Sequence, residues 1–544
     1  MISPFDCDHK APISELSARL GGKGLGLWVM SKELALSVPP GFTIETSACR
    51  AWLAGALPPH FHEDVRREVA QLEGRLGKRL GDPKAPLIVS VRSGSAASMP
   101  GMMDTLLNVG MTPAVVEALA EASGDRLFAV QSYRRFLHAF GTTVLGLELG
   151  AHAPETDAVE KIDADICRIR EEIADRYSIE MIDDPWRQLF AAIEAVFQSW
   201  LSPRARAYRE REKIPNDLGT AVNVQAMVFG NLDARSGTGV AFTRNPSTGE
   251  AGLCGDFLFR AQGDDVVGGT HRTLPLSVLE TALPECYAEL AESAHRLEGY
   301  FRDLCDIEFT IERGKLWLLQ ARVGKRSPAA APRIAVELVR EGKLTKSEAL
   351  RRIDANVLSG SVHVDRLATT QEPLARGVPA SPGAATGRAV FDVERAIELA
   401  QQGLDIILVR RETSPEDVHG MSVARGIVTT LGGTLSHAAV VARAWNLPAV
   451  CGLEQAVLED QALRIGDIRI RDGDLISIDG SLGAVYLGEM ARASLEDPYL
   501  KTLRAWRDQE TAGAGVDLHQ CGGNVVPPRD AHTERVPTRL AMGD

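Results

Sequence analysis

The sequence predicts a protein of several domains that combine α/β and α+β folds. Its 544 residues are more than one hydrophobic core supports, so two to four domains are expected. Strand and helix patterns alternate between Ile406 and Gly480, which is typical of an α/β unit. Charged amphipathic helices at residues 150–215 precede a β-rich region from Gly219 to Arg322, as in an α+β unit.

Composition excludes several classes of protein. Hydrophobic residues make up 44% and charged residues 24%, which is ordinary for a globular protein. The net charge is −13 and no basic block could follow a nucleic-acid backbone, so nucleic acid is not expected as a partner. The eight cysteines are scattered without zinc-site spacing. No apolar run approaches membrane-spanning length and no signal-peptide pattern begins the chain, so we expect a cytoplasmic protein.

The stretch that carries most of the chemistry reads GIVTTLGGTLSHAAVVARAWNLPAVCG, residues 426–452. A β-rich run meets the glycine pair Gly432 and Gly433, and a small-residue helix begins at Ser436–His437 and stops before Pro448. His437 is therefore expected in the first turn of a helix, where free backbone N–H groups favour a negative ligand.

A histidine in that position could carry a phosphoryl group on a ring nitrogen, with Ser436 and Thr434 as hydrogen-bond donors to its oxygens. On spacing alone, a surface or core histidine is the more common outcome. The residues by themselves leave both interpretations open.

Two further stretches have the character of anion-binding loops. Residues 20–27, LGGKGLGL, form a glycine-rich turn in which Lys23 supplies a point charge, although an ordinary loop before a helix has the same pattern. The buried strand pattern at residues 87–91 runs into Arg92 and then into a loop rich in glycine, serine and methionine. The alternatives for that loop are a cover over a ligand and a flexible linker.

The hairpin pattern at residues 306–322 collects polar groups on one face. Alternation predicts that Ile307, Phe309 and Ile311 face the core. A three-residue turn at residues 313–315 would place Glu308 opposite Gln320 and Asp306 opposite Arg322. Oxygen donors beside a cation suit Mg²⁺ and ATP phosphates, while a polar sheet face with a cross-strand ion pair is the alternative.

Several of these stretches resemble one family. GGTLSHAAVVAR is similar to the phosphohistidine signature of the phosphoenolpyruvate-utilising enzymes, and VRSGSAASMPGMMDTLLNVG and SGTGVAFTRNPSTGE resemble segments of the pyruvate phosphate dikinase family. The resemblance covers nearly all of residues 15–490. It implies an ATP-grasp-type nucleotide-binding domain at 1–330, a helical linker at 331–372, a compact α/β phosphohistidine domain that swivels at 373–492, and a disordered tail at 493–544.

The resemblance also implies the site residues. It makes His437 the nucleophile and gives catalytic roles to Arg92 and Arg322, with Glu308 and Gln320 as metal ligands. The nucleotide-binding set is Lys23, Arg92, Gly101, Met103, Arg135, Glu308, Gln320 and Arg322, and the set that supports the phosphohistidine is Gly432, Gly433, Thr434 and Ser436. A further arginine role carries over to Arg272 only with a one-residue shift.

The function implied is an ATP-dependent dikinase that phosphorylates itself. His437 would attack the β-phosphorus of ATP, AMP would leave, and transfer of the terminal group to phosphate would leave phosphohistidine and pyrophosphate. Mg²⁺ is the expected cofactor, with a monovalent cation as a further candidate, and a homodimer is a candidate assembly. The family's phosphoenolpyruvate/pyruvate barrel has no counterpart in this sequence, so an acceptor domain on a separate chain is expected.

Two departures from the family pattern keep other functions open. Leu431 stands where the family has an arginine before the paired glycines, and Leu435 stands where it has a threonine. The alternatives are a phosphohistidine carrier or signalling protein and an ATP-binding regulator without chemistry.

Overall fold

The computed structural model describes residues 1–97, 99, 102–149, 158–267, 273–359, 365–414, 417–434, 436–453, 455–494 and 497–516. It has the mixed α/β, multidomain architecture predicted from the sequence. No helix within these residues is both long and apolar enough to cross a membrane. Gly101, Arg272 and Leu435 lie outside the described residues.

The first part of the chain forms an antiparallel sheet covered by helices. Its strand order is β1-β2-β7-β5-β6. Its elements are β1 (Ile2–Pro4), α1 (Ile13–Trp28), β2 (Gly41–Ile44), α2 (Thr46–Leu53), α3 (Phe61–Leu76), β3 (Arg79–Leu80), β4 (Pro86–Leu87), β5 (Val89–Gly94), β6 (Thr105–Val109), α4 (Pro113–Ser123), α5 (Arg126–Thr143), α6 (Val159–Arg176), α7 (Glu180–Asp183), α8 (Pro185–Ser199), α9 (Pro203–Glu212) and β7 (Ala221–Ala226). Local signals fix the helix starts: Thr112 and Asp125 accept backbone N–H bonds as the N-caps of α4 and α5.

A second antiparallel sheet follows, with strand order β10-β9-β8-β11-β12. Its elements are β8 (Gly237–Arg244), β9 (Ala251–Phe259), α10 (Gly263–Val267), β10 (Leu274–Pro275), α11 (Leu276–Ala282), α12 (Pro284–Phe301), β11 (Cys305–Glu312) and β12 (Lys315–Val323). Ile307, Phe309 and Ile311 are fully buried in a core that includes Leu290 and Leu297 of α12. The predicted apolar face of β11 is thus confirmed, and the opposite face is free for the site.

Helix α1 lies between the two sheets, and its glycines make that packing possible. A Cβ at Gly21 would lie 1.8 Å from the carbonyl oxygen of Gly94 in β5, and one at Gly26 would lie 2.3 Å from that of Ala321 in β12. Gly21 has φ +68°, so it breaks the helical geometry inside α1. The expectation of a glycine-rich turn was therefore wrong for most of this stretch: Lys23 lies on a helix, and the glycines bring that helix against both sheets.

Helices α13 (Ala330–Arg340), α14 (Lys346–Arg351) and α15 (Ala355–Ser359) follow the second sheet. Arg244 of β8 is only 2% exposed and forms ion pairs with Glu298 of α12 and with Glu337 and Glu341 at α13. Because a buried charge needs partners, this network fixes α13 to the second sheet.

The third unit is an eight-stranded sheet with order β14-β24-β23-β16-β17-β18-β19-β15, parallel from β16 to β19. Its elements are β13 (Asp365–Leu367), β14 (Ala375–Arg376), β15 (Val378–Ser381), β16 (Ala384–Val390), α16 (Val393–Gln401), β17 (Ile406–Arg410), α17 (Val418–Val423), β18 (Gly426–Thr429), α18 (His437–Ala444), β19 (Ala449–Cys451), β20 (Ala456–Glu459), β21 (Ala462–Ile465), β22 (Ile468–Arg471), β23 (Leu475–Asp479), β24 (Ala484–Leu487) and β25 (Arg492–Ser494). Strands β13 and β25, which flank the unit in sequence, pair with each other.

The chain then returns to the linker helices. Helix α19 (Pro498–Val516) packs on α13 and α14, with Leu503 fully buried beside Ile334 and Leu338. The expected disordered tail is thus wrong for residues 498–516. Its pattern is weak in the sequence because few of its side chains pack on the linker helices; those that the structure describes are Tyr499, Leu500, Leu503 and Trp506.

Candidate functional site

The β11–β12 hairpin has the register that the sequence predicts at the site. Glu308 pairs with Gln320, and Asp306 pairs with Arg322. The turn itself differs: it has two residues, Arg313 and Gly314, with φ +52° and +75°. A bulge after Glu308 adds the one residue that the shorter turn lacks, so the register at the polar end agrees with that of a three-residue turn.

The polar face of the hairpin holds a compact cluster of charges. Arg92 of β5 donates from Nη2 to Oε2 of Glu308 at 2.5 Å. Burial raises the pKa of Glu308, but the positive charges of Arg92, Lys23 and Arg322 outweigh it and hold that pKa below its ordinary value. The structure therefore brings together four predicted site residues from distant parts of the sequence, whose charges interact: Lys23, Arg92, Glu308 and Arg322.

Arg322 is fixed by Asp306 rather than by Glu308. Its Nε and Nη2 donate to Oδ2 of Asp306 at 3.0 and 2.8 Å. Burial raises the pKa of Asp306, and the charge of Arg322 opposes that shift. The sequence predicts this ion pair but not that Asp306 belongs to the site, where its carboxylate lies near that of Glu308.

Gln320 provides a test of whether the cluster fits a metal and nucleotide. Its Oε1 atom is buried and has no hydrogen-bond partner, although a buried amide oxygen normally has one. No group of three or more His, Cys, Asp or Glu side chains within the described residues is arranged to hold a metal ion. Glu308 and Gln320 offer hard oxygen donors that fit Mg²⁺ when nucleotide phosphates complete its coordination.

Two other predicted nucleotide residues have different surroundings. Arg135 of α5 donates from Nη1 to both carboxylate oxygens of Asp265 at 2.9 and 3.0 Å. Met103 packs beside Met99 and Trp200 in a small apolar cluster. The described contacts of these two residues do not include the hairpin cluster, so their nucleotide-binding roles stay predictions.

His437 is the first residue of α18, as expected. Ser436 is the N-cap, and its Oγ accepts from the backbone N–H of Ala439 at 3.4 Å. Nδ1 of His437 lies 3.0 Å from Oγ1 of Thr413, the residue contact here that sequence reasoning missed. Burial lowers the pKa of His437, against a smaller opposing effect of Asp417. The ring is therefore neutral at pH 7, and Nε2 is the nitrogen left for chemistry when Nδ1 bonds to Thr413.

The glycine loop before His437 contacts the second sheet directly. Oγ1 of Thr434 donates to Oδ2 of Asp256 in β9 at 2.7 Å. A Cβ at Gly433 would lie 2.6 Å from the same oxygen and 2.8 Å from Oγ1 of Thr273, so only glycine permits this approach. Gly432 has φ +99°, which a side chain would strain. Ser436 donates to the carbonyl of Gly433. Both hydroxyl groups predicted to donate to a phosphoryl group therefore donate to other protein groups: Ser436 within the loop and Thr434 to Asp256.

Arg443, near the end of α18, stabilises the glycine loop that makes this contact. It is 4% exposed and donates to the carbonyl oxygens of Thr434 and Ala380 at 2.7 and 2.9 Å. Burial lowers its pKa to about 10, and the negative charges of Asp306 and Asp256 oppose that shift. Arg443 thus fixes the loop that carries Thr434, and the bond from Thr434 to Asp256 packs the third unit, the histidine-bearing domain, against the second sheet. The spacing of Arg443 does not predict its burial, because its partner Ala380 comes from a distant segment.

Comparison with known proteins also separates the region of the first two sheets from the histidine-bearing domain. Residues 55–278 match the family described as pyruvate phosphate dikinase, AMP/ATP-binding domain, and residues 404–483 match the PEP-utilising enzyme mobile domain. The chain carries the nucleotide-binding and mobile domains of the pyruvate phosphate dikinase family. The hairpin cluster lies after the first match, and His437 lies inside the second.

Three relatives named pyruvate, phosphate dikinase show the extent of the similarity. The protein of Rickettsia conorii is 45% identical over 495 residues, which are 87% of this chain and 56% of the relative. That of Rhizobium meliloti is 45% identical over 530 residues, covering 90% of this chain and 58% of the relative. The chloroplastic protein 1 of Arabidopsis thaliana is 44% identical over 518 residues, covering 91% and 53%. The chain thus spans somewhat more than half the length of these relatives.

Proposed function

We propose that this chain is an ATP-dependent phosphotransferase that phosphorylates itself on His437. ATP binds in an ATP-grasp-type domain at the β11–β12 hairpin, Nε2 of His437 attacks the β-phosphorus, and AMP leaves. The observation that carries the proposal is the pairing of two sites: a charge cluster with an unsatisfied buried Gln320, and a neutral histidine whose loop contacts the same sheet through Asp256.

The hairpin cluster supplies the charges that phosphoryl transfer needs. Lys23, Arg92 and Arg322 offset the negative charge of the phosphates, and their paired carboxylates hold two of them in place before ATP arrives. Glu308 and Gln320 would hold Mg²⁺, which when bound neutralises phosphate charge.

His437 is prepared for attack by its surroundings. Its lowered pKa keeps the lone pair free at pH 7, and the bond to Thr413 orients the ring. The first turn of α18 leaves backbone N–H groups near the phosphoryl group, which stabilises phosphohistidine once it forms.

We further propose that the histidine-bearing domain swivels after the first transfer. Phosphate takes the terminal group, pyrophosphate leaves, and the phosphoryl group on His437 then goes to an acceptor. The relatives' name suggests pyruvate as that acceptor, bound by a further domain that the resemblance expects on a separate polypeptide. Helix α13 is held to the second sheet by the ion pair of Arg244 and Glu337, and α19 packs on α13. The β13–β25 pair joins these helices to the histidine-bearing domain, so the domain would turn about this pair.

The test is labelling of the purified chain with ATP that carries ³²P at the β position, in the presence of Mg²⁺. We expect acid-labile, base-stable label on the wild type with stoichiometric AMP, and none on His437→Ala. ATP bound without label or AMP would contradict the proposal and favour an ATP-binding regulator. Label passed to a co-purified protein rather than to pyruvate would favour a phosphocarrier.

A further inference from the structure

A cleft of about 930 Å³ lies between the second sheet and the histidine-bearing domain. This interdomain cleft is separate from the hairpin cluster, and neither His437 nor the hairpin lines it. One wall comes from β9, β10, α11 and Tyr287 of α12, and the other from residues 430–434, 452–453 and 456–458 with Val378 and Arg411. Its volume is that of a pocket for a drug-sized or cofactor-sized molecule.

The floor of the interdomain cleft is the contact between the two domains. Gly433 and Thr434 meet Asp256 and Thr273 there, with the 2.7 Å bond from Thr434 to Asp256. Both walls therefore exist only while the histidine loop rests on β9. A molecule that touches both walls binds the docked arrangement and not the separated one.

The walls are mainly apolar. The apolar side chains that line the cleft are Leu253, Pro275, Leu276, Tyr287, Val378, Leu431, Leu453, Val457 and Leu458. Val457 is 48% exposed, which is high for a valine in a folded domain. An apolar, flat molecule would remove this surface from water on both sides of the cleft.

The charged groups of the cleft indicate whether its ligand is an anion or a cation. The backbone carbonyl of Arg411 accepts from the N–H of Leu431 at 2.8 Å, so the arginine stands beside an apolar wall residue. Its exposed guanidinium forms no ion pair with any other residue that the structure describes. Of the acidic lining residues, Asp256 already accepts from Thr434, and Glu280 is exposed on α11. A guanidinium without a partner at an apolar wall favours an anion.

We propose that the interdomain cleft is a binding site for a small organic anion with an aromatic or other flat apolar body, held at Arg411. Such a ligand stabilises the docked arrangement by the difference between its binding free energies for the docked and the separated domains. If the domain swivels as we propose above, the ligand therefore acts as an inhibitor of the step that follows histidine phosphorylation.

The test uses 8-anilinonaphthalene-1-sulfonate, an aromatic sulfonate that fluoresces when bound in apolar sites. We expect one probe per chain in the full-length protein. Arg411→Gln and Tyr287→Ala, one on each wall, should each raise the Kd about tenfold, as expected for a lost charge-assisted contact or aromatic wall. Glu280→Gln removes a charge of the opposite sign from the same cleft and should leave the Kd unchanged or lower it.

Arg425→Gln is the matched control, because Arg425 is an exposed arginine of the same domain outside the cleft. Equal effects of Arg411→Gln and Arg425→Gln, several probes per chain, or tighter binding of the cationic dye thioflavin T would overturn the proposal.

Hydrogen exchange tests the placement between the domains. With the probe bound, the backbone amides of β9 and of residues 430–434 should exchange more slowly in the wild type and not in Arg411→Gln. Binding without protection on both walls would also overturn the proposal. His437→Ala should bind the probe like the wild type, so probe binding can be measured even in a protein that ATP does not label. A wild-type protein that ATP labels but that does not bind the probe would refute the proposed ligand site and leave the proposed function intact.

Discussion

The two halves of the candidate site are built in different ways. In the hairpin cluster, Asp306, Glu308, Gln320 and Arg322 lie on two adjacent strands, and their positions follow from backbone pairing. At His437, the ring contacts Thr413 from the loop after β17. The glycine loop before the ring is held by Asp256 of another domain and by Arg443 at the far end of α18. The first half is a fixed platform, and the second depends on a contact between domains that the proposed cycle must break.

This difference predicts that changes to the platform have the largest effect. Arg92→Met should lower self-labelling from ATP at least ~100-fold, because it removes a cation from the proposed ATP site and leaves the buried carboxylate of Glu308 without its partner. Single-turnover AMP release measures the loss.

A thermal melt shows whether Arg92→Met stays folded, and Arg92→Lys keeps the charge if it does not. The exposed Arg425→Met is the matched control. Labelling within threefold of the wild type in a folded Arg92→Met protein would contradict the assignment of the hairpin as the ATP site.

Changes to the domain contact should have an intermediate effect. Asp256→Asn and Thr434→Val each weaken one hydrogen bond to a charged group, so we expect the rate of labelling to fall about tenfold. The affinity for ATP should not change, because neither residue belongs to the hairpin cluster.

The double variant provides a check on coupling. If both residues act through one hydrogen bond, Asp256→Asn with Thr434→Val should be no slower than the slower single variant. Fully additive losses would show that the two residues act separately.

Changes to the histidine's orientation should have the smallest effect. Thr413→Val keeps the shape but removes the partner of Nδ1, so we expect a several-fold slower transfer. The pH dependence of labelling should follow protonation of the His437 ring. Because burial lowers the pKa of His437 below the ordinary 6.5, labelling should fall as the pH falls, with a midpoint below pH 6.5. A midpoint above pH 6.5 in the wild type would contradict the lowered pKa.

The same difference explains how much the sequence could predict. Alternation and a glycine turn were enough to pair Glu308 with Gln320, even though the turn is one residue shorter and a bulge makes up the difference. The helix start at His437 was also predicted, since an N-cap serine and a glycine pair are local signals.

What local signals could not show is which segments meet. Lys23 lies on a helix between two sheets because Gly21 and Gly26 pack against strands about 70 and 300 residues away in the chain. The Thr434–Asp256 bond joins residues 178 positions apart, and the burial of Arg443 has no pattern in sequence. Helix α19 was missed because its few apolar residues are meaningful only beside α13 and α14.

The central claim is that the docked arrangement is the one in which His437 receives its phosphoryl group. A disulfide between cysteines at Thr434 and Asp256, whose side-chain oxygens lie 2.7 Å apart, would hold the domains together. The oxidised double variant should release AMP and label His437 as fast as the same protein after reduction, while its later transfer to an acceptor stops. An oxidised chain that binds ATP but labels only after reduction would contradict the claim, because the docked arrangement would then not be the phosphorylating one.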